Sequence, residues 1–241
     1  MAAVTRPLAC LLWIVAGCRA ETRGWVLFER DATPPPAATV DAGCASCADA
    51  GDAGAGSASD AGSLTPLHGS QGGMEHVDVC PADQVLIGYL GSVGDVSASA
   101  DPLVVTRSLQ AVCGTARVTA EGAISVVRAG TLPQRGSTGE LASWSQLCPL
   151  DALIVGVQGR AGLALDRVAF VCARVVTSPG AGAALEIEST TLTAAAGGDG
   201  GRVFADSCPS GEVARGHFLR SGRWIDAFSL VCGAPRLDPE P

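Results

Sequence analysis

Residues 192–232 read LTAAAGGDGGRVFADSCPSGEVARGHFLRSGRWIDAFSLVC, and two earlier parts of the chain repeat the same pattern. Each copy contains one cysteine-proline pair, and these pairs begin at Cys80, Cys148 and Cys208. Relative to that cysteine, a leucine stands sixteen residues earlier, a ring four residues earlier and a glycine eight residues later. Each copy then closes on an apolar run that ends in a cysteine, at Cys113, Cys172 or Cys232. Matches at fixed offsets in three copies indicate an internal repeat.

Within each copy the local patterns are those of β-strands. Residues 153–157 and 168–171 are short, branched runs separated by a glycine-bearing segment, which is typical of a hairpin. Residues 219–232 repeat that pattern, and residues 124–127 and 184–187 add strands between the copies. Because no segment after residue 63 has a sustained helical period, we expect an all-β domain.

The cysteine spacing predicts one disulfide within each copy, since a repeated unit favours its own closing pair. The expected bonds are Cys80–Cys113, Cys148–Cys172 and Cys208–Cys232, each worth about 3–4 kcal/mol if disulfides act through chain entropy. Free thiols or zinc are the alternatives, but only three histidines occur and the copies contain no Cys-x-x-Cys spacing. Cys44 and Cys47 form such a motif earlier in the chain, in Ala/Gly-rich sequence, where a local disulfide or no function is the better interpretation.

The first 17 residues predict a signal peptide. Arg6 precedes an apolar run from Leu8 to Ala16 that is too short for a permanent membrane anchor. The run ends in Val-Ala-Gly-Cys, which resembles the lipobox of bacterial lipoproteins and implies lipidation of Cys18 after cleavage. Arg19, rather than an aspartate, follows that cysteine and favours the outer membrane as the place of anchoring in the cell envelope. The alternatives are an ordinary signal peptide with an incidental cysteine, or a chance match in an apolar run.

Residues 18–62 predict a disordered tether. They contain three consecutive prolines and four Asp-Ala-Gly triplets, a composition that cannot bury enough apolar surface to offset the ordering entropy. One apolar exception, Trp-Val-Leu-Phe at residues 25–28, either lies against the membrane or is merely adhesive. The tether is expected to carry one folded domain at residues 63–236. Its three units are residues 63–113, 131–172 and 191–232.

Two motifs of the third unit resemble the jacalin-related lectins. Residues 197–204 are similar to their glycine-rich opening strand and loop, and residues 216–228 are similar to their closing hairpin. Residues 156–168 repeat the hairpin in the second unit, whereas the Cys-Pro start and the terminal cysteine look more like the vitelline membrane outer layer protein I family. Both resemblances, which cover roughly residues 63–233, imply a β-prism of three Greek-key sheets with pseudo-threefold symmetry. In such a prism each sheet buries an apolar face that it cannot bury alone.

The lectin resemblance implies a carbohydrate site made from a Gly-x-x-x-Asp loop and a facing glycine-rich loop. A carboxylate accepts sugar hydroxyls, glycines let backbone N–H groups approach the ring, and an aromatic side chain stacks on its apolar face. The preferred site lies in the third unit. It combines Gly222, Trp224 and Asp226 with Gly200 and Gly201.

The loop pattern occurs a second time at Gly162 and Asp166, whereas the first unit has Arg107 at the aligned position. The alternative interpretation is structural, because such a hairpin can exist for its turn alone, with the aspartate bonded to backbone N–H groups and paired with arginine. For Asp166, which Arg160 and Arg167 flank, we favour the turn. For the preferred site both interpretations stay open.

Other functional classes find little support. The net charge of −8 and the absence of a basic cluster argue against nucleic acid as a partner. The chain has no nucleophile elbow, zinc-protease motif or P-loop, so we expect neither an enzyme nor a metal or cofactor, with a glycosidase built from distant carboxylates as a remote alternative. The first hypothesis is a surface-anchored lipoprotein whose lectin-like domain binds a glycan. The second is a structural or protein-interaction module of the same fold.

Overall fold

The computed structural model describes residues 62–96, 103–139, 141–177 and 185–239. The signal peptide, Cys18, nearly all of the tether, and Cys44 and Cys47 lie outside these residues. No helix capable of spanning a membrane occurs within the described ranges. The described strands are β1 (Ser63–Leu64), β2 (His68–Gly69), β3 (Met74–Val79), β4 (Val85–Asp95), β5 (Val104–Val118), β6 (Ile124–Thr131), β7 (Arg135–Gly136), β8 (Ala142–Leu147), β9 (Ala152–Ala161), β10 (Leu165–Thr177), β11 (Leu185–Leu192), β12 (Ala196–Gly197), β13 (Arg202–Ser207), β14 (Val213–Ser221), β15 (Ile225–Gly233) and β16 (Asp238–Pro239).

The strands form three sheets, each built on one long antiparallel hairpin. Sheet I has the order β16-β5-β4-β8, with β6 and β7 also paired to β5. Sheet II has the order β11-β10-β9-β13, with β12 on β10, and sheet III has the order β1-β15-β14-β3, with β2 on β15. The hairpins predicted from residues 153–171 and 219–232 are confirmed as β9–β10 and β14–β15. The described residues therefore fold as an all-β prism of three sheets.

Each sheet combines a hairpin from one part of the chain with outer strands that come from the next. β6 to β8 follow the β4–β5 hairpin and complete sheet I, and β11 to β13 complete sheet II in the same way. Sheet III closes the ring, because the N-terminal strands β1 to β3 pair with the C-terminal hairpin. The sheets are thus offset from the sequence units, and every unit contributes strands to two sheets.

This offset gives the disulfides a second role, because each one joins two different sheets. Cys80 follows β3 of sheet III and is bonded to Cys113 in β5 of sheet I. The other two bonds repeat that arrangement between sheets I and II and between sheets II and III. They are Cys148–Cys172 and Cys208–Cys232, the pairs expected from the repeat. The three bonds form a closed ring of covalent links around the prism.

Aliphatic side chains and a few rings fill the space between the sheets. Each sheet contributes one fully buried six-membered aromatic ring, namely Tyr89, Phe170 and Phe228. The rings of Tyr89 and Phe170 stack with centroids 4.4 Å apart, and Phe228 meets both edge-on. Because rings are scarce in this chain, the rest of the core depends on branched aliphatic residues such as Leu86, Ile154 and Leu230.

A chain of polar side chains crosses this core. The hydroxyl of Tyr89 lies 3.2 Å from Nδ1 of His217, and Nε2 of His217 lies 3.3 Å from Oδ2 of Asp78. Arg135 donates two hydrogen bonds of 2.7 Å to the carboxylate of Asp78. The Arg135 hydrogen bond holds the pKa of Asp78 well below its usual range, while burial lowers the pKa of His217. This network links sheets I and III and gives each of its four side chains a hydrogen-bond partner.

Candidate functional site

Three pairs of loops lie at the end of the prism opposite the disulfides. Strand β3 runs between these two ends. Its first residue follows a glycine-rich loop, and its last residue precedes the disulfide-bonded Cys80. We name the pairs after one central residue each. The Asp226 pair contains residues 222–226 and 69–73, the Asp166 pair contains residues 162–166 and 197–201, and the Arg107 pair contains Arg107 and residues 136–139.

The loop pairs contact one another. The hydroxyl of Ser70, in the Asp226 pair, donates a 2.8 Å hydrogen bond to the carbonyl of Leu163 in the Asp166 pair. The hydroxyl of Ser137, in the Arg107 pair, donates to the carbonyl of Arg223 in the Asp226 pair. These bonds join elements of all three sheets, so the loops form one continuous surface.

In the Asp226 pair, two glycines enclose the carboxylate. A Cβ atom on Gly72 would lie 2.6 Å from Oδ1 of Asp226, and one on Gly73 would lie 2.5 Å from its Oδ2. Neither distance is compatible with a side chain, so the close approach requires glycine at both positions. The backbone N–H of Ser70 also donates to the Asp226 carbonyl over 2.9 Å, which fixes the glycine loop against the hairpin.

The Asp166 pair has the same construction. A Cβ atom on Gly200 would lie 2.3 Å from Oδ1 of Asp166, and one on Gly201 would lie 2.5 Å from Oδ2. Gly162 approaches the same place, because its Cβ position is 3.3 Å from the Cα atom of Gly201. The backbone N–H of Gly198 donates a 2.8 Å hydrogen bond to the Asp166 carbonyl, which corresponds to the bond from Ser70 in the other pair.

The expected combination of Gly200 and Gly201 with Asp226 is therefore wrong. Both glycines precede β13, and β13 pairs with β9 of the preceding hairpin, so they face Asp166 instead. The glycines that face Asp226 belong to the N-terminal end of the domain, beside β3. The repeat could have identified these glycines, because Gly73 stands seven residues before Cys80, as Gly201 does before Cys208.

Both aspartates are buried without an arginine ion pair among the described residues. Burial raises the pKa of Asp166, while the nearby charge of Arg160 and backbone N–H groups act in the opposite direction. Burial likewise raises the pKa of Asp226, opposed first by a hydrogen bond from the Trp224 side chain. Oδ2 of Asp166 is buried and has no hydrogen-bond partner. The Asp166 loop thus presents an acceptor that the protein itself does not satisfy, whereas Asp226 has hydrogen bonds from the Trp224 side chain and the Gly222 backbone.

Two arginines hold the glycine loops: Arg160, which the sequence suggested only as a partner of Asp166, and Arg220, which it did not suggest. Arg160 donates from Nε to the Gly200 carbonyl over 2.8 Å and from Nη2 to the Gly201 carbonyl over 3.0 Å. Arg220 makes the same two bonds, of 2.8 and 3.1 Å, to the carbonyls of Gly72 and Gly73. Both arginines stand four residues after the repeated glycine of their unit. That shared spacing could have identified them from the sequence.

The two aspartate pairs differ in the residues beside the carboxylate. Trp224 is half-buried, and its side chain donates a hydrogen bond to Asp226. Its indole ring is therefore not fully exposed for stacking on a ligand. The position of Trp224 is taken by the buried Ala164 in the other pair. Leu163, at the tip of that second hairpin, leaves 86% of its surface exposed. The Asp226 pair is therefore the more polar of the two and the Asp166 pair the more apolar.

The Arg107 pair has no carboxylate at its centre. Arg107 is 4% exposed, and its Nε and Nη2 atoms lie 3.3 and 3.1 Å from the hydroxyl of Ser137. Gly136 has a positive φ of 77° and lies against the Arg107 carbonyl, so the turn itself is retained. With an arginine in place of the acceptor, this pair does not reproduce the chemistry of the other two.

The arrangement offers hydrogen-bond acceptors and backbone N–H groups at a glycine-lined surface. Such groups suit a ligand with several hydroxyls on adjacent carbons. Among the residues that the structure describes, no three His, Cys, Asp or Glu side chains come together as a metal site.

No protein-family model matches the chain, and no curated protein matches it in sequence. Solved structures similar to it include a Malaysian banana lectin, with 14% identity and a TM-score of 0.47 over 72% of this chain and 99% of that one. A mannose-binding lectin from champedak has 11% identity and a TM-score of 0.49 over 73% and 99%, respectively. A mannose-binding jacalin-related lectin from Ananas comosus has 14% identity and a TM-score of 0.43 over 73% and 100%. With such scores, these similarities carry no argument about ligand or function.

Proposed function

We propose that the domain is a lectin-like carbohydrate-binding module with two sites, one at the Asp226 pair and one at the Asp166 pair. The observation that carries the proposal is the orphaned carboxylate oxygen Oδ2 of Asp166, buried between glycines. Leaving a buried acceptor unsatisfied is costly, and a ligand hydroxyl that donates to it would remove the cost once the glycine loop moves enough to admit it. The Asp226 pair has the same glycines and the same supporting arginine, so the two sites share one chemistry.

The electrostatics of the loops favour a neutral polyhydroxylated ligand. A raised pKa means that each ionised aspartate is poorly solvated in the free protein. A sugar brings hydroxyl donors and no charge of its own, whereas an acidic ligand would repel the carboxylates at neutral pH. The arginines beside the sites are occupied by backbone carbonyls, which leaves them less available to an anion.

A glycan-array screen of the full chain tests this proposal, with the double variant Asp166→Asn/Asp226→Asn as its control. The wild type is expected to bind a set of neutral glycans. The variant is expected to lose at least tenfold in affinity, because one charged acceptor contributes about 1.5–3 kcal/mol. Binding of no glycan by the wild type, with both proteins equally folded, would instead support a structural or protein-interaction module.

We further propose that the module is displayed on the cell envelope through a lipid on Cys18, with the outer membrane as its place. The Val-Ala-Gly-Cys motif at the end of the apolar N-terminal run supports this proposal. Metabolic labelling with a palmitate analogue should mark the wild-type chain and leave Cys18→Ala unlabelled. Equal labelling of both chains, or of neither, contradicts the anchor while leaving the glycan sites unaffected.

A further inference from the structure

We propose that His68 positions the glycine loop of the Asp226 pair and holds it more firmly when its imidazole is protonated. His68 begins β2 of sheet III, and the loop at residues 69–73 overlaps and follows that strand. The Nε2 atom of His68 lies 2.6 Å from Oδ2 of Asp206, in β13 of sheet II. This contact ties the start of the loop to the neighbouring sheet.

One aromatic ring and one carboxylate lie against the imidazole. The ring is that of Phe204, which stacks on His68 with centroids 4.2 Å apart and planes inclined by 11°. Among the described residues, Asp206 is the only carboxylate that forms an ion pair with His68. The side chains of His68 and Asp206 are 29% and 15% exposed, so solvent screens their attraction only in part.

A short series of contacts connects His68 to the carboxylate of Asp226. Gly69 pairs with β15 beside His68, and the backbone N–H of Ser70 donates to the Asp226 carbonyl over 2.9 Å. The glycines at 72–73 then lie against the carboxylate itself. The position of His68 therefore affects the groups that would meet a ligand at this site.

The repeat supplies the same junction twice more without a histidine. Each junction combines the residue before a turn glycine with the residue two places before a cysteine-proline pair. These combinations are His68 with Asp206, Arg135 with Asp78, and Ala196 with Gln146, whose amide bonds to backbone carbonyls instead. Arginine keeps its charge at every pH of interest and alanine has none, whereas histidine changes its charge between pH 5 and 8.

Other charged side chains act on the far end of the loop. Arg220 donates to the carbonyls of residues 72–73 and pairs with Glu75, and Asp226 faces the same glycines. Burial raises the pKa of Asp226, but it raises that of Asp166 in the other loop pair as well. A pH effect confined to the Asp226 pair therefore points to His68.

Protonation strengthens the contact with Asp206. A neutral imidazole donates one hydrogen bond to the carboxylate, and an imidazolium adds the attraction between opposite charges. For a partly exposed pair this addition corresponds to about a threefold to fivefold change in an equilibrium constant. The loop is thus held more firmly at pH 5.5 than at pH 8.

The consequence for binding rests on the proposed function. A loop that is already fixed loses less freedom when a ligand binds, so affinity rises with the firmness of the loop. The Asp226 site is expected to bind a glycan about threefold to fivefold more tightly at pH 5.5 than at pH 8. The Asp166 site, whose loop follows Ala196, has no such device.

Amide hydrogen exchange in the ligand-free full chain tests the positioning role. The reporters are the N–H of Ser70 and its counterpart in Gly198, which donate to the carbonyls of Asp226 and Asp166. Exchange is followed by NMR at pH 5.5 and pH 8 and corrected for the intrinsic rate. The protection factor of Ser70, relative to that of Gly198, should be about threefold to fivefold higher at pH 5.5. Protonation of the two buried aspartates affects both reporters and cancels in this ratio.

Two variants remove the contact from either side. His68→Gln and Asp206→Asn should abolish the pH dependence and keep the ratio near its wild-type value at pH 8. His76→Gln, the same change at another histidine of sheet III, should retain the pH dependence. Melting temperatures of all four proteins show whether a variant has unfolded. A ratio that does not change with pH, or a change that persists in His68→Gln, overturns the proposal.

A binding measurement separates this proposal from the proposed function. Methyl α-mannoside, methyl α-glucoside and methyl β-galactoside are titrated at both pH values into Asp166→Asn and Asp226→Asn, each of which keeps one intact site. Tighter binding at pH 5.5 by Asp166→Asn alone supports the role of His68, and equal pH dependence of both variants contradicts it. Failure of all three sugars to bind counts against the proposed function, and the exchange measurement then decides on His68.

Discussion

Asp78, in the core, and Asp166, in its loop pair, are equally buried, with 8% of each residue exposed, yet their surroundings are opposite. Asp78 accepts two hydrogen bonds from Arg135 and lies next to His217. Asp166 faces glycines, and one of its oxygens has no partner. Asp226, with 7% exposed, belongs with Asp166 because burial raises the pKa of both.

The partners of a buried carboxylate, and not its burial, therefore separate a structural group from a candidate binding group. The lowered pKa of Asp78 means that its ionised form stabilises the fold above its ordinary pKa, near 3.8, and that this stability is lost as the pH falls below it. The raised pKa of the loop aspartates has the opposite effect on stability. Their ionised forms cost stability at neutral pH, and the cost disappears as the pH falls below the ordinary value.

The largest expected effect is that of Asp78→Asn. The substitution removes the charge that compensates Arg135, and breaking a buried pair of this kind costs about 3 kcal/mol of unfolding free energy. Guanidinium denaturation at pH 7 measures it. Glu75→Gln is the matched control, because its ion pair with Arg220 is at the surface and should contribute below about 1 kcal/mol. Equal effects of the two substitutions would remove the distinction between core and loop carboxylates.

A smaller effect is expected for Arg220→Gln, which loses both hydrogen bonds to the glycine loop of the Asp226 pair. Bonds with one charged partner are worth about 1.5–3 kcal/mol, so we expect a loss near 2 kcal/mol of unfolding free energy by the same denaturation experiment. Arg167→Gln serves as the control, since its partner Asp199 is 86% exposed. If Arg220→Gln is neutral, the arginine does not hold the loop, and the proposed symmetry between the two aspartate pairs is lost.

Much of the fold could be predicted from the sequence, because the local signals repeat. The strands of a hairpin are adjacent in the chain, so β9–β10 and β14–β15 follow from branched runs that flank glycines. The three cysteine pairs follow from their fixed places in the units. The hairpins require only local sequence, and the cysteine pairs require only a comparison of the three units.

The partner of each glycine loop could not be predicted in the same way. Three similar units leave open which hairpin the strand after Gly201 joins, since β13 could pair within its own unit or with the preceding one. The structure places it on β9, and long-range pairing of this kind leaves no trace in local periodicity. The half-burial of Trp224 could not be predicted from the sequence either, because it depends on a turn whose geometry the residue spacing does not define.

The smallest effect on stability is expected when both loop aspartates are replaced, and it shows whether they serve a ligand or the fold. The unfolding free energy of Asp166→Asn/Asp226→Asn is measured beside that of the wild type at pH 7 and at pH 4. If the loop carboxylates serve a ligand and not the fold, the variant equals the wild type or exceeds it by up to about 1 kcal/mol at pH 7, and the excess shrinks towards pH 4 as the wild-type carboxyls protonate. A variant that is less stable than the wild type by 2 kcal/mol or more at pH 7 would contradict the account and make both aspartates anchors of their turns.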